Sequence, residues 1–94
     1  MTDNCEIEYD VNKRMTTLEN RGLDFEDAPA VFAGHVYSQL DERQDYGEER
    51  FITVGKLRKR MVVMVWTWRG ERRRIISMRY ANDREKEWYT EYLG

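Results

Sequence analysis

The side chains best suited to chemistry crowd one stretch, Arg72–Tyr80, which carries Arg72, Arg73, Arg74 and Arg79, with Ser77 two places before the last. In an extended strand, residues two apart share a face. Arg73, Ile75, Ser77 and Arg79 are therefore expected on one side, and Arg72, Arg74, Ile76, Met78 and Tyr80 on the other. Guanidinium groups on a rigid strand can grip a phosphate as a fork and stay charged at any physiological pH. Ser77 can donate a hydrogen bond to the same group. A second constellation, Asp45-Tyr46-Gly47-Glu48-Glu49-Arg50, sets carboxylates and a phenol beside an arginine where a strand begins. Glu49 there can take a proton or orient a guanidinium, while Glu48 reads more simply as part of a salt-bridged turn. Trp68 lies next to a hairpin, where an indole can stack on a base, whereas Trp66 on the same face reads as core. Lys56 and Arg58, in the basic turn Gly55–Arg60, complete the set of candidate polyanion contacts. For Arg72 and Arg73 the simpler reading is edge charge that opposes aggregation.

The charge pattern gives these residues a setting. Residues 1–49 hold 4 Lys/Arg against 13 Asp/Glu, and residues 50–86 hold 12 against 3, so a net of −9 faces a net of +9 inside a chain whose total is −2. A basic segment of this density fits either a phosphate-binding surface or a solvated face balanced by acidic elements packed beside it. The single cysteine, Cys5, offers no internal disulfide, and no Cys/His spacing suggests a metal site or calls for a cofactor. His35, the only histidine, follows Gly34 at a turn, where solvation is the ordinary fate. The polar, acidic start MTDNCEIEYD lacks the apolar run of a signal peptide. No stretch reaches the ~20 apolar residues of a membrane span, so a reducing cytoplasm is the expected compartment.

At 94 residues the chain reads as one domain, 1–94, of α+β class. Residues 6–9 alternate over a short strand. Asp10 can cap a first helix bearing Val11, Met15 and Leu18 on one face, with Gly22 as its stop. A shorter helix follows Asp24 or Asp27; Pro29 either kinks it or sits in its first turn. Residues 36–41 suit an edge strand. Arg50–Val54 alternates, Met61–Trp68 is apolar on both faces and hence central, and Arg69-Gly70 turns into Arg72–Tyr80. Asn82 with Glu85 three residues on has the reciprocal capping pattern of a last helix. Its Trp88/Tyr92 and Tyr89/Leu93 pairs can dock on the sheet. The expected architecture is a small antiparallel meander of three to four strands with two N-terminal helices and one C-terminal helix. The helices would cover one face and leave the other for solvent or a ligand.

With these segments in order, the chain resembles the BrnT family of ribonuclease toxins from type II toxin–antitoxin pairs. The resemblance rests on Glu8-Tyr9-Asp10, on Gly22 followed by Asp24-Phe25-Glu26-Asp27-Ala28 and Val31-Phe32, and on Gly47-Glu48-Glu49-Arg50-Phe51-Ile52 with Gly55. It continues through Arg69-Gly70, Arg74-Ile75-Ile76-Ser77-Met78-Arg79 and the closing helix Arg84-Glu85-Lys86-Glu87-Trp88-Tyr89.

The resemblance implies a RelE-like fold, metal-independent RNA cleavage that halts translation, and neutralisation by a BrnA-like antitoxin with a ribbon-helix-helix region. Operator DNA would be met only through that antitoxin. The site residues it implies are Glu49, Arg50, Arg74, Ser77 and Arg79; with the residues' own reading, Glu49, Arg50, Ser77 and Arg79 are the expected catalytic set, and Arg74, Arg73, Trp68, Lys56 and Arg58 the expected RNA contacts. Two positions depart from the family's common pattern, Arg21 and Trp66, where relatives often carry histidine. A non-catalytic module that holds RNA or a protein partner is the alternative these departures favour.

Overall fold

The computed structural model describes residues 5–43 and 45–93; Met1–Asn4 of the polar start, Gln44 of the charged loop and Gly94 lie outside them. In chain order the elements are β1 (Ile7–Tyr9), α1 (Val11–Arg21), a 3-10 turn (Phe25–Asp27), α2 (Ala28–Phe32), β2 (Tyr37–Leu40), β3 (Phe51–Leu57), β4 (Arg60–Arg69), β5 (Arg72–Tyr80) and α3 (Asp83–Leu93). They build one five-stranded sheet in the order β1-β5-β4-β3-β2. The class is α+β as expected, but the sheet is larger than a meander of three to four strands, and it is mixed. β1 pairs in parallel with β5, setting Ile7 opposite Arg73, Glu8 opposite Arg74 and Tyr9 opposite Ile75. Three residues docking on a strand more than sixty positions away leave no turn signature in the sequence, which is why the pairing was not legible.

The helix ends follow local chemistry. The Asp10 carboxylate accepts from the backbone N–H of Asn12 and Lys13 at 2.9 and 3.1 Å, and Gly22 closes α1 at φ +69°, donating to the Leu18 carbonyl at 3.0 Å. Asp24 caps the 3-10 turn, and α2 starts late, with Pro29 in its first turn, where a missing N–H costs nothing. α1 lies against β5 but buries none of its residues: the stripe Val11, Met15 and Leu18 stays exposed. Arg14 ties the helix to Asp24 by two bonds of 2.7 and 3.0 Å.

Two apolar clusters sit on opposite faces of the sheet. On the first, Leu23, Phe25, Ala28 and Val31 pack on Val62, Met64, Trp66, Ile75 and Met78. Trp66 is core as expected; its indole N–H donates to Thr53 Oγ1 at 2.8 Å and its ring stacks on Phe51. On the second face, Val54, Met61, Val63 and Ala81 gather with Tyr37, Ile52 and Tyr89. Tyr89 belongs to α3, so the helices do not all share one face: α3 covers one end of the face expected to be open. Its cap is the reciprocal pair read from the sequence, Glu85 N–H to Asn82 Oδ1 at 2.8 Å and Asn82 N–H to Glu85 Oε1 at 2.9 Å. Tyr89 docks against Tyr37, while Trp88 remains 72% exposed.

Gly55 fixes how closely α2 approaches the sheet. A Cβ there would lie 2.7 Å from Val31 Cγ1 and 2.9 Å from Val36 Cγ1. Val31 is fully buried and stiff at χ1, so it cannot swing away. Gly55→Ala is expected to cost about 1–3 kcal/mol in urea melts; an unchanged midpoint would show that α2 is free to lift.

Candidate functional site

Where the arginines point is decided by one irregularity in β5. Val65 lies opposite Ser77, yet the next residue of β4, Trp66, lies opposite Ile75. Ile76 is thus an extra residue without a cross-strand partner, a β-bulge that reverses the alternation at that point. On the β1 side of the bulge, Ile75 and Arg73 fall on the first face. On the far side, Met78 returns to that core while Ser77 and Arg79 take the second face. The expected grouping of Arg73 and Ile75 with Ser77 and Arg79 is therefore corrected. Arg74, with Glu8 and Thr67 as its lateral neighbours, joins the second face instead.

The result is a row of guanidinium groups across the second face. Arg50 opens it, packed 4.1 Å over the Tyr46 ring and bonded to Glu48 at 3.2 Å. Thr67, beside it, donates its hydroxyl to the Glu49 carbonyl at 2.6 Å, which fixes the mouth of β3. Arg74 bonds to Glu8 at 3.2 Å. Arg79 grips Glu85 through both carboxylate oxygens, at 2.7 and 2.8 Å. Beside Arg79, and reaching back toward Arg74, a hollow of about 270 Å³ opens over Ile52, Val54, Val63 and Val65, with Tyr89, Arg43, Ser77, Arg79 and Glu85 also lining it.

Each carboxylate shapes its partner. The Arg79 guanidinium holds the Glu85 carboxyl below the ordinary glutamate range, helped by the Asn82 backbone N–H, and Glu85 in turn raises Arg79. Hydrogen bonds from Arg69 and then Arg50 depress Glu48 in the same way. Arg43 is aimed by a buried anchor: Asp41, whose side chain is inaccessible to solvent, takes two bonds from the guanidinium at 2.7 Å and one from the Tyr46 hydroxyl at 3.1 Å. Those bonds, Arg43's foremost, hold the Asp41 carboxyl down at about 2.

The remaining sequence candidates lie elsewhere. Arg73 is on the first face, its guanidinium 4.4 Å from the Phe32 ring, 5.1 Å from Trp66 and 5.0 Å from Trp68, with one N–H donated to Cys5 Sγ at 3.3 Å. Trp68 is half exposed at the edge of that stack. Arg58 stands in the β3–β4 turn, 3.5 Å from Asp27, and Lys56 is exposed near the far end of β3. Glu49 is exposed beside Arg50. So the structure brings Arg50, Arg74, Ser77 and Arg79 onto one face and leaves Arg73, Trp68 and Arg58 off it.

Two site residues escaped the sequence reading. Glu85 was legible only as a cap, and that role is real, but both of its oxygens also accept from Arg79, the capping Oε1 included. Arg43 sits in a charged loop with no periodicity, where nothing in the sequence singles it out. Of the two departures, Arg21 donates to the Met78 carbonyl at 2.9 Å, occupying a backbone acceptor on β5 beyond the reach of β1, and Trp66 is buried on the face opposite Arg79. Among the described residues no group of three His, Cys, Asp or Glu could hold a metal ion.

Residues 9–85 match the sequence model of a family described as ribonuclease toxin, BrnT, of type II toxin–antitoxin system. No curated protein matches the chain.

The Asp41 anchor gives a pH test. A carboxyl held below its unfolded value stabilises the fold fully above that value and loses the contribution as pH falls through the folded one. Asp41→Asn is expected to cost about 1–2 kcal/mol at neutral pH. That cost should shrink to about half by pH 3, read from urea melts of both proteins. An equal loss at both pH values would contradict the anchor.

Proposed function

Because the chain belongs to the BrnT family of ribonuclease toxins of type II toxin–antitoxin systems, we propose that it is an endoribonuclease that works without a metal and halts translation until an antitoxin neutralises it. The observation that carries this reading is the row Arg50, Arg74 and Arg79 on one face, with Ser77 beside the last. Donors fixed around a phosphate stabilise the charge that develops as a phosphodiester is attacked.

In the proposed reaction a single RNA strand lies along this row, and a phosphate takes the place of Glu85 on the fork of Arg79. The adjacent 2′-oxygen forms a bond to phosphorus, the bond to the 5′-oxygen breaks, and the products are a 2′,3′-cyclic phosphate and a 5′-hydroxyl. Arg79 is the largest cause of Glu85's depression, with the Asn82 backbone N–H a lesser one. Released from Arg79, Glu85 rises in basicity, and it accepts the 2′-OH proton while water protonates the leaving oxygen. Glu49, at the Arg50 end, is the alternative acceptor. Ser77 donates to a phosphate oxygen. The antitoxin is proposed to be BrnA-like, with a ribbon-helix-helix region through which the pair meets operator DNA.

One observation favours a second reading, a module that binds RNA or a protein without cutting. Arg50, Arg74 and Arg79 each already have a carboxylate partner, so any phosphate must compete for them. Inducing the chain alone in bacteria separates the two, since only an active toxin arrests growth.

Purified protein is expected to cleave RNA in EDTA, and Arg50→Ala with Arg79→Ala to reduce the rate by about 100-fold or more. Undiminished cleavage by the double variant would remove this site from the reaction.

A further inference from the structure

α3 separates two hollows. Glu85 and Tyr89 border the one that holds Arg79, while Lys86 and Thr90, one position on in each case, border the other. This second hollow, about 280 Å³, is ringed by Lys56, Lys59, Arg60 and Lys86. Among the described residues its lining contains no carboxylate, in contrast to the Arg50–Arg79 row, where each guanidinium is met by an acid. The Arg60 guanidinium carbon sits over the Tyr80 ring, 3.7 Å from its centroid, a contact that holds the charge at the hollow. Lys56, Lys59 and Arg60 are all exposed, and the nearest acid to Lys86 is Asp83, at 3.8 Å and fully solvated. Lys59 holds a left-handed backbone at φ +72°, so the tight turn presents its side chain from a fixed position.

We infer that this hollow is a second phosphate-binding site, one that grips the RNA strand on the side of α3 away from Arg79. It rests on the RNA reading above and adds to it a substrate requirement: a strand that fills both sites must cross α3, a body roughly 10 Å wide. Lysines suit such a role. Their compact charges on flexible stems accept a phosphate from many directions without fixing sequence. An acidic protein segment is the competing occupant, but Lys56 and Met61 continue the sheet row that carries Arg79, while Arg60 and Tyr80 belong to the first face, so the hollow wraps the end of the sheet where the proposed path of the strand runs out.

The triple variant Lys56→Gln, Lys59→Gln, Lys86→Gln keeps the Arg60–Tyr80 stack, and its fold can be verified by its urea midpoint. Binding of a long 2′-O-methyl RNA strand, which cannot be cleaved, is measured for both proteins at 50 and 200 mM salt. Across that range the wild type is expected to lose about 20-fold more affinity than the variant, the difference made by three phosphate contacts on a single strand. A dinucleotide, too short to cross α3, should bind both proteins alike. Equal salt dependence on the long strand would overturn the inference alone, as would loss of binding to an acidic peptide with RNA affinity unchanged. No RNA binding by the wild type would overturn the RNA reading and this inference with it.

Discussion

One unpaired residue, Ile76, determines what this sheet can present to its surroundings. Without the bulge, strict alternation would place Arg73 beside Ser77 and Arg79. Ile75 or Met78, both fully buried, would then have to leave the core. The bulge lets β5 supply Ile75 and Met78 to the same apolar cluster and still send Arg74, Ser77 and Arg79 to the other face. Ile75 and Met78 are three positions apart and Arg74 and Arg79 five, so each pair can share a face only across a break in alternation, and the strand carries one.

The opposed charges of the two halves of the chain also acquire a physical meaning. Glu6 and Glu8 of the acidic half meet Arg72 and Arg74, Asp27 meets Arg58, and Glu48 meets Arg50 and Arg69. These pairs are partly exposed and individually contribute little to stability. Their effect is positional: each holds a long side chain in one place and lowers the repulsion between neighbouring guanidiniums. The same pairing means that a ligand phosphate must displace an acid, which makes the row a site of exchange. Glu85 is the acid best placed for that, since its second anchor at Asn82 keeps it nearby when Arg79 lets go.

Much of the framework was legible in the sequence. Asp10, Gly22, Asn82 and Glu85 mark helix ends by chemistry that acts within a few residues, and β4 announced its central place by being apolar on both faces. What was not legible depends on contacts distant in sequence. β1 is too short to signal its parallel partner, α3 could have packed on either face, and nothing in Arg72–Tyr80 says which of the adjacent Ile75 and Ile76 leaves the ladder. The site suffered accordingly. Arg50, Arg74, Ser77 and Arg79 were named from the sequence, but parity grouped Arg73 with the wrong neighbours, and Glu85 and Arg43 were visible only once the chain had folded.

RNA is proposed to lie on the second face, across Arg50, Arg74 and Arg79 together. Arginine Nε–H resonances followed by NMR, as a 2′-O-methyl RNA strand is added, test it most directly. The account requires the signals of Arg50, Arg74 and Arg79 to move together while that of Arg73, stacked among aromatics on the opposite face, stays fixed. Movement of Arg73 and Arg58 with Arg50, Arg74 and Arg79 unmoved would contradict it.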